Sequence, residues 1–248
     1  MKSFFLKSPA KINLTLDILG KDEQAGKHFI NTIFYRDDNL FDEITLRKRL
    51  SGHKNLLKCS NPDVPTDESN TVLKALKLLG EEGWEISLKK NIPMRAGLGG
   101  GSSNAGVILK YFGRIKGIPE HILMEMAQKI GADVPFFVLD DNLAYFEGYG
   151  DQFVKSWQIK PLKIEYINSG VSVSTAKAYA ELDLSECALE SAKTEALLEI
   201  FNNTVEIKAA QLEAYLHNDF ESSFFKKNHQ LEELGNLCGS GGMMWSLK

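Results

Sequence analysis

"PMRAGLGGGSSNAG", residues Pro93 to Gly106, is the stretch on which the reading of this sequence turns. Five of the ten positions from Gly97 to Gly106 are glycine, and the chain that follows reads as a helix. Glycine loses more backbone freedom on folding than any other residue, so a cluster needs a compensating use. A tight turn with positive φ angles is one such use, and a backbone that must come close to a ligand is another. Beyond the glycines stand Ser102, Ser103 and Asn104. Free N–H groups at a helix start, the helix dipole and two hydroxyls all favour an anion, with phosphate the usual case. Better-known glycine signatures do not fit. No lysine closes the loop as a Walker motif requires, and Ser102 stands where the dinucleotide fingerprint needs its third glycine. The competing reading is a turn with a serine cap, although a cap needs one serine and no glycine triplet.

Upstream, "KINLTLDIL" (Lys11–Leu19) alternates strictly: Lys11, Asn13, Thr15 and Asp17 on one face, Ile12, Leu14, Leu16 and Ile18 on the other. This predicts a half-buried strand. "HFINTIFYR", "FDEITLRKRL" and "WEISLKKNI" read as further strands of an antiparallel sheet. "SNTVLKALKLLGEEG" spaces Val72, Leu73, Leu76 and Leu79 as a helix with Ser69 or Asn70 as its cap. Downstream, "SSNAGVILKYFGRIKG" and "PEHILMEMAQKIG" predict two helices, and "VPFFVL" and "LAYFEGYGD" two strands. The composition shifts at "SWQIKPLKIEYINSG", the expected domain boundary. Helices are expected at "STAKAYAEL", "KTEALLEIFNN", "IKAAQLEAYLHNDFESSF" and "KKNHQLEELG", before a second glycine cluster, "CGSGGMMWSLK". Helices and strands without regular alternation point to an α+β fold.

The 248 residues fit one large domain or two smaller ones. A net charge of −4 argues against nucleic acid as partner, and no apolar run reaches membrane-spanning length. Cys59, Cys187 and Cys238 have neither metal-ligand spacing nor the even number of a disulfide framework, which suits a reducing cytoplasm.

"PMRAGLGGGSSNAG" resembles the phosphate loop of the GHMP small-molecule kinases, whose pattern is Pro-x-x-x-Gly-Leu-Gly-Ser/Gly-Ser-Ser. "SPAKINLTLDILGK", "KHFINTIF", "IGADVPFF", "AYFEGYGD" and "GVSVST" are similar, in order, to motifs of the family's branch acting on 4-diphosphocytidyl-2-C-methyl-D-erythritol. The likeness spans roughly residues 3 to 179 and fades to the short "CGSGG" segment. It implies a two-domain α+β architecture, with an S5-like N-terminal domain over 1–155 and a reduced ferredoxin-like domain over 156–248. That second domain is expected to be short, because the family pattern continues past the second glycine loop through a strand, a helix and a final strand.

The implied activity is transfer of the ATP γ-phosphate to the C2 hydroxyl of this small-molecule substrate, with Mg²⁺ accompanying ATP, in non-mevalonate isoprenoid precursor synthesis. No acidic cluster marks a metal site, which Mg²⁺ bound largely through phosphates does not require. Taken alone, Asp133 reads as a turn residue after a helix, Lys11 as part of a solvated sheet face and His28 as a polar residue beside a strand. The resemblance instead implies that Asp133 is the general base, that Lys11 sits beside it, and that His28 belongs to the cytosine pocket. An ammonium beside the carboxylate would favour its ionised form and offset charge on the attacking oxygen. Asn13 shares the strand face of Lys11 and is a candidate hydrogen-bonding partner for the substrate. The resemblance places Tyr179 against the cytosine and Asn70 and Lys90 at the adenine nucleotide, while Pro93, Gly97, Leu98, Gly99, Gly100, Gly101, Ser102 and Ser103 form the phosphate loop. Lys27 departs from the pattern by standing where the family usually has tyrosine. Two other readings remain open: a GHMP kinase of homoserine or mevalonate type, against which "PAKINL", "GADVPFF" and His28 speak, and a catalytically weak nucleotide-binding relative.

Overall fold

The computed structural model describes residues 3–204 and 207–248, and the chain divides into two compact units. The first comprises Met1–Ala10, Asp38–Pro93 and Gly99–Asp140. Its strands come from β1 (Ser3–Asp22), β2 (Lys27–Lys48), β3 (Leu56–Cys59) and β4 (Trp84–Lys89). β4 runs antiparallel to β2, and β3 pairs parallel to β4. Its helices are α1 (Thr71–Leu78), α2 (Gly100–Lys116) and α3 (Glu120–Gln128). The register Ile44↔Leu88 and Leu46↔Ile86 puts four apolar side chains on one sheet face, where they join Val72 and Leu76 of α1 and Ile108, Leu109 and Phe112 of α2. Each such side chain, once buried, contributes about 1.5–3 kcal/mol.

Asn70 caps α1, its side chain accepting from the backbone N–H of Val72 at 2.9 Å. A cap of this kind is worth about 1 kcal/mol. "HFINTIFYR" and "FDEITLRKRL" are one continuous strand, β2, rather than two. Asp37, between the two stretches, accepts from the Tyr166 hydroxyl, and Asp42, at the start of the latter, accepts from the backbone N–H groups of Asn91 and Ile92. Long-range bonds thus hold the strand extended through its polar centre. "VPFFVL" is a 3₁₀ helix, Pro135–Val138, not a strand. A short run buried on every side carries no period, and the proline at its start suits a helical turn.

The second unit comprises Lys11–Asp37, Met94–Leu98 and Asp141–Lys248. Its further elements are β5 (Leu143–Glu147), β6 (Gln152–Trp157), β7 (Ile164–Asn168), α4 (Thr175–Ala180), α5 (Ser191–Asn203), α6 (Ala209–Leu212), β8 (His217–Asn218), α7 (Phe220–Lys227), β9 (Asn236–Leu237) and β10 (Met243–Leu247). β5 pairs antiparallel with Thr32–Tyr35 of β2 and with β6, and β8 pairs parallel with Thr15 and Leu16 of β1. A separate sheet has the order β7-β10-β9. Leu16, Ile18, Ala178, Phe220, Phe224, Leu237 and Met244 form the core here.

Three expectations are corrected in this unit. The "KINLTLDIL" strand is buried on both faces, for Lys11, Asn13, Thr15 and Asp17 are as enclosed as the leucines and isoleucines between them. The helix expected over 207–224 is broken into α6, a 3₁₀ turn, β8 and α7. Its periodicity loses to tertiary bonds: His217 Nε2 lies 2.6 Å from Asp17 Oδ1, and the Asp219 carboxylate accepts from the N–H groups of Ile18 and Ala188. Burial disfavours the charged His217 imidazolium, but the hydrogen bond and charge of Asp17 outweigh it and hold the pKa above the ordinary histidine value. The "KKNHQLEELG" segment forms a 3₁₀ helix, His229–Leu234, instead of an α-helix.

Candidate active site

The glycine loop ends at the start of α2, within the first unit. Gly99 is the N-cap residue, left-handed at φ 67°, and no side chain caps the helix. Ser102 and Ser103 lie inside the first turn, so the serine-cap reading fails. Ser103 N–H bonds back to Gly99 O at 2.8 Å, and its hydroxyl meets that of Ser8 at 2.7 Å. Beneath this turn lies a buried polar cluster. Asn104 Nδ2 donates to Ser8 Oγ at 2.8 Å and to Asp42 Oδ2 at 3.0 Å, and the Lys90 ammonium bonds the same Asp42 carboxylate. Both side chains of that ion pair are nearly fully enclosed, at 7% and 0% exposure. A buried pair of this kind adds little net stability, but loss of one partner costs about 3–5 kcal/mol.

A Cβ added at Gly100 would stand 3.0 Å from Lys90 Nζ. The ammonium is therefore held against the entrance of α2, its charge offset in part by Asp42, and the helix dipole favours an anion there. Asp133 lies in the turn between α3 and the 3₁₀ helix, partly exposed. That turn rests on α2 at Gly106, where a Cβ would come within 2.5 Å of Phe137 Cβ and 3.0 Å of Val134 O. Gly106, in the opening stretch, thus allows the turn that carries Asp133 to approach α2 one helical turn beyond Ser103.

The earlier half of the loop, Met94–Leu98, belongs to the second unit. Lys11 N–H donates to Leu98 O at 3.0 Å. The Lys11 ammonium donates to Asn13 Oδ1 at 2.7 Å, Asn13 Nδ2 to Thr32 Oγ1 at 2.7 Å, and Thr32 in turn to Thr15 O at 2.7 Å. Lys11 and Asn13 are thus brought together, as their strand spacing predicts. Gly97 has φ 79°, and a Cβ there would lie 1.6 Å from Cys238 O. The second glycine cluster therefore packs on the first. A Cβ on Gly239 would reach 3.2 Å from Gly97 O and 3.3 Å from both Asn13 Oδ1 and Lys11 Nζ.

His28 and Tyr179 also meet, their rings stacked with centroids 4.5 Å apart and planes 17° from parallel. This separation leaves no room for a third ring between them. Tyr179 further packs edge-on against Phe220 at 4.9 Å. Partial burial, and secondarily the charge of Lys21, lowers the His28 pKa below the ordinary histidine value and favours the neutral imidazole. The Lys27 ammonium lies 4.6 Å above the Tyr149 ring, and Tyr149 stacks on Phe29 at 5.3 Å. Ser8 and Asn104 lie inside motifs that do not single them out as site residues, and Asp42 carries no motif at all, so the buried bonds alone bring the three together. For the second loop, the sequence signals were glycine density and the short "CGSGG" likeness.

Among known families, GHMP kinases N terminal domain matches residues 70–141, which include α1, β4, the glycine loop, α2, α3 and Asp133. The 4-diphosphocytidyl-2-C-methyl-D-erythritol kinase of Clostridium botulinum (strain Eklund 17B / Type B) is 34% identical over 248 residues, 97% of this chain and 86% of the relative. The chain belongs to this GHMP kinase family. It is an ATP-dependent small-molecule kinase with the two-domain α+β fold of that family. A crystal structure of 4-(cytidine 5'-diphospho)-2C-methyl-D-erythritol kinase superposes with a TM-score of 0.75 at 26% identity, over 98% of this chain and 90% of that one. Homoserine kinase from Cytophaga hutchinsonii shares the fold at 19% identity, with a TM-score of 0.64 over 100% of this chain and 85% of that one. No helix among the described residues is long and apolar enough to cross a membrane.

Proposed function

We propose that this kinase transfers the γ-phosphate of ATP to the C2 hydroxyl of 4-diphosphocytidyl-2-C-methyl-D-erythritol, as a cytoplasmic enzyme of isoprenoid precursor synthesis. The observation that carries the phosphate part is the uncapped start of α2 with the buried Lys90 ammonium against Gly100. Residues 97–103 receive the phosphates, Lys90 and Asn70 lie on the nucleotide side, and Pro93 sets the entry to the loop. Mg²⁺ would accompany ATP and supply positive charge to its phosphates, a role that needs few protein ligands. Asp133 accepts the hydroxyl proton. Lys11 offsets the charge that grows on the attacking oxygen, and Asn13 fixes the Lys11 ammonium. The expected result is ADP release from MgATP that depends on the cytidyl substrate. Equal rates with homoserine or mevalonate would overturn the assignment, and no turnover with any of them would leave a nucleotide-binding protein.

The His28–Tyr179 pair serves the base. Cytosine stacks on the outer face of Tyr179, which His28 backs from the other side. Base–aromatic stacking is worth roughly 1–3 kcal/mol by alanine substitution. Tyr179→Ala is therefore expected to raise KM for the cytidyl substrate by roughly 5- to 150-fold, at about 1.4 kcal/mol per tenfold, with kcat little changed. Because Tyr179 also packs on Phe220, the melting temperature should fall as well. KM decides between the roles: a destabilised variant with unchanged KM assigns Tyr179 to packing alone.

A further inference from the structure

We infer that Asn218 is a positioning residue for phosphoryl transfer: it clamps the second glycine loop, Cys238–Gly242, against Lys11, Asn13 and Gly97. The role in turnover rests on the kinase reading above; the clamp itself does not.

Asn218 is anchored on β1 through its backbone and both neighbours. Its backbone pairs with Leu16 of β1, the strand that bears Lys11 and Asn13. On either side, His217 bonds Asp17, while Asp219 N–H donates to Leu16 O at 3.0 Å and the Asp219 carboxylate accepts from Ile18 N–H at 2.6 Å. Three successive residues are thus fastened to one strand, and the middle side chain has little freedom left. That side chain is buried, at 4% exposure. Its Oδ1 accepts from Phe220 N–H at 3.1 Å, which fixes the amide orientation and aims Nδ2 at the loop. Nδ2 donates to Leu237 O at 3.1 Å and to Gly239 O at 2.8 Å. Both of its protons are used, on the two carbonyls that flank Cys238.

Glu221 adds a second hold by accepting from Leu237 N–H at 2.7 Å. Leu237 is therefore gripped at both backbone polar groups, and the loop leaves it in a fixed direction. Gly239, bonded through its carbonyl to Asn218, is the residue whose Cα faces Gly97 O, Asn13 Oδ1 and Lys11 Nζ. The loop thereby forms one wall of the space around the Lys11 ammonium. Misplacement of a group by about 1 Å can cost as much as 100-fold in rate, even when the cause lies away from the chemistry.

Asn218→Asp keeps the shape and removes the donor, leaving a carboxylate against two carbonyl oxygens. Gly239→Ala perturbs the same loop by another route, because its Cβ would press on Lys11 Nζ and Asn13 Oδ1. Both variants are expected to lower kcat by about tenfold or more while KM for MgATP stays near the wild-type value. A separate readout is the thiol of Cys238, which is fully buried in the wild type and held well above its ordinary pKa by burial. Maleimide labelling of Cys238, located by peptide mass spectrometry, is expected to quicken in Asn218→Asp. Unchanged labelling overturns the clamp, whatever the substrate is. Faster labelling with wild-type kcat overturns the role in turnover. Should Asn218→Asp fail to fold, wild-type kcat in Gly239→Ala overturns the proposal instead. A wild-type chain that turns over no substrate refutes the kinase reading, and the labelling result still decides the clamp.

Discussion

Asp133→Asn is expected to lower turnover by about 10²–10⁴-fold, the usual worth of a general base, with ATP binding nearly unchanged. The substitution keeps the side-chain shape and removes the proton acceptor. Its backbone is fixed independently of the carboxylate: Val134 N–H bonds Gly131 O at 3.2 Å and Phe137 N–H bonds Val134 O at 3.1 Å. Val134 and Phe136 are fully buried on either side of Pro135, so the turn is held by apolar packing and should survive the change. The groups proposed to meet the nucleotide, Lys90 and the first turn of α2, lie on other elements of the first unit. The check is steady-state kinetics with both substrates varied, alongside a nucleotide titration. Near-normal turnover would remove Asp133 from the mechanism. A parallel loss of ATP affinity would instead mean that the turn carries the phosphate loop and not the proton.

What could be read in the sequence, and what could not, follows from the range of the interactions. The cap at Asn70, the helix after the glycines and the pairing of Lys11 with Asn13 depend on neighbours a few residues apart, and spacing records such neighbours. The meeting of His28 with Tyr179 was not legible from spacing, because the two stand on elements far apart in the chain; the resemblance alone put both at the base. Asp42 illustrates a deeper silence. It sits at the start of a stretch that reads simply as a strand, yet it binds Lys90, Asn104 and two backbone N–H groups in the buried cluster below α2. Nothing local marks a strand residue whose partners lie beyond the next helix. The broken helix over 207–224 is the same lesson in reverse. Its apolar spacing is adequate for a helix, and only the bonds of His217 and Asp219 to β1 draw the segment into an edge strand. Local preference is a weak prior wherever buried polar groups must find distant partners.

Gly97→Ala tests whether the two glycine clusters act as one unit, and the size of the effect follows from what the new methyl group would meet. At φ 79° the left-handed backbone costs an alanine about 1–2 kcal/mol by itself. The larger obstacle is the Cys238 carbonyl, 1.6 Å from the added Cβ, with the carbonyl carbon at 2.5 Å. Those atoms are backbone in a loop gripped by Asn218 and Glu221, so they cannot turn aside as a side-chain end would. One loop or the other must shift, and a shift of about 1 Å in a positioning element can cost as much as 100-fold. A loss of this order in kcat/KM for MgATP is therefore expected for Gly97→Ala. Gly100→Ala supplies the contrast within the same motif. Its Cβ would meet Lys90 Nζ at 3.0 Å and Ile92 Cγ2 at 3.2 Å, tight contacts but with side chains and far short of the backbone overlap at Gly97. Its loss should be clearly smaller. Equal losses in the two variants would mean that closeness to phosphate, not the packing of loop on loop, sets the glycine requirement. Full activity in Gly97→Ala would show that the loops do not constrain each other.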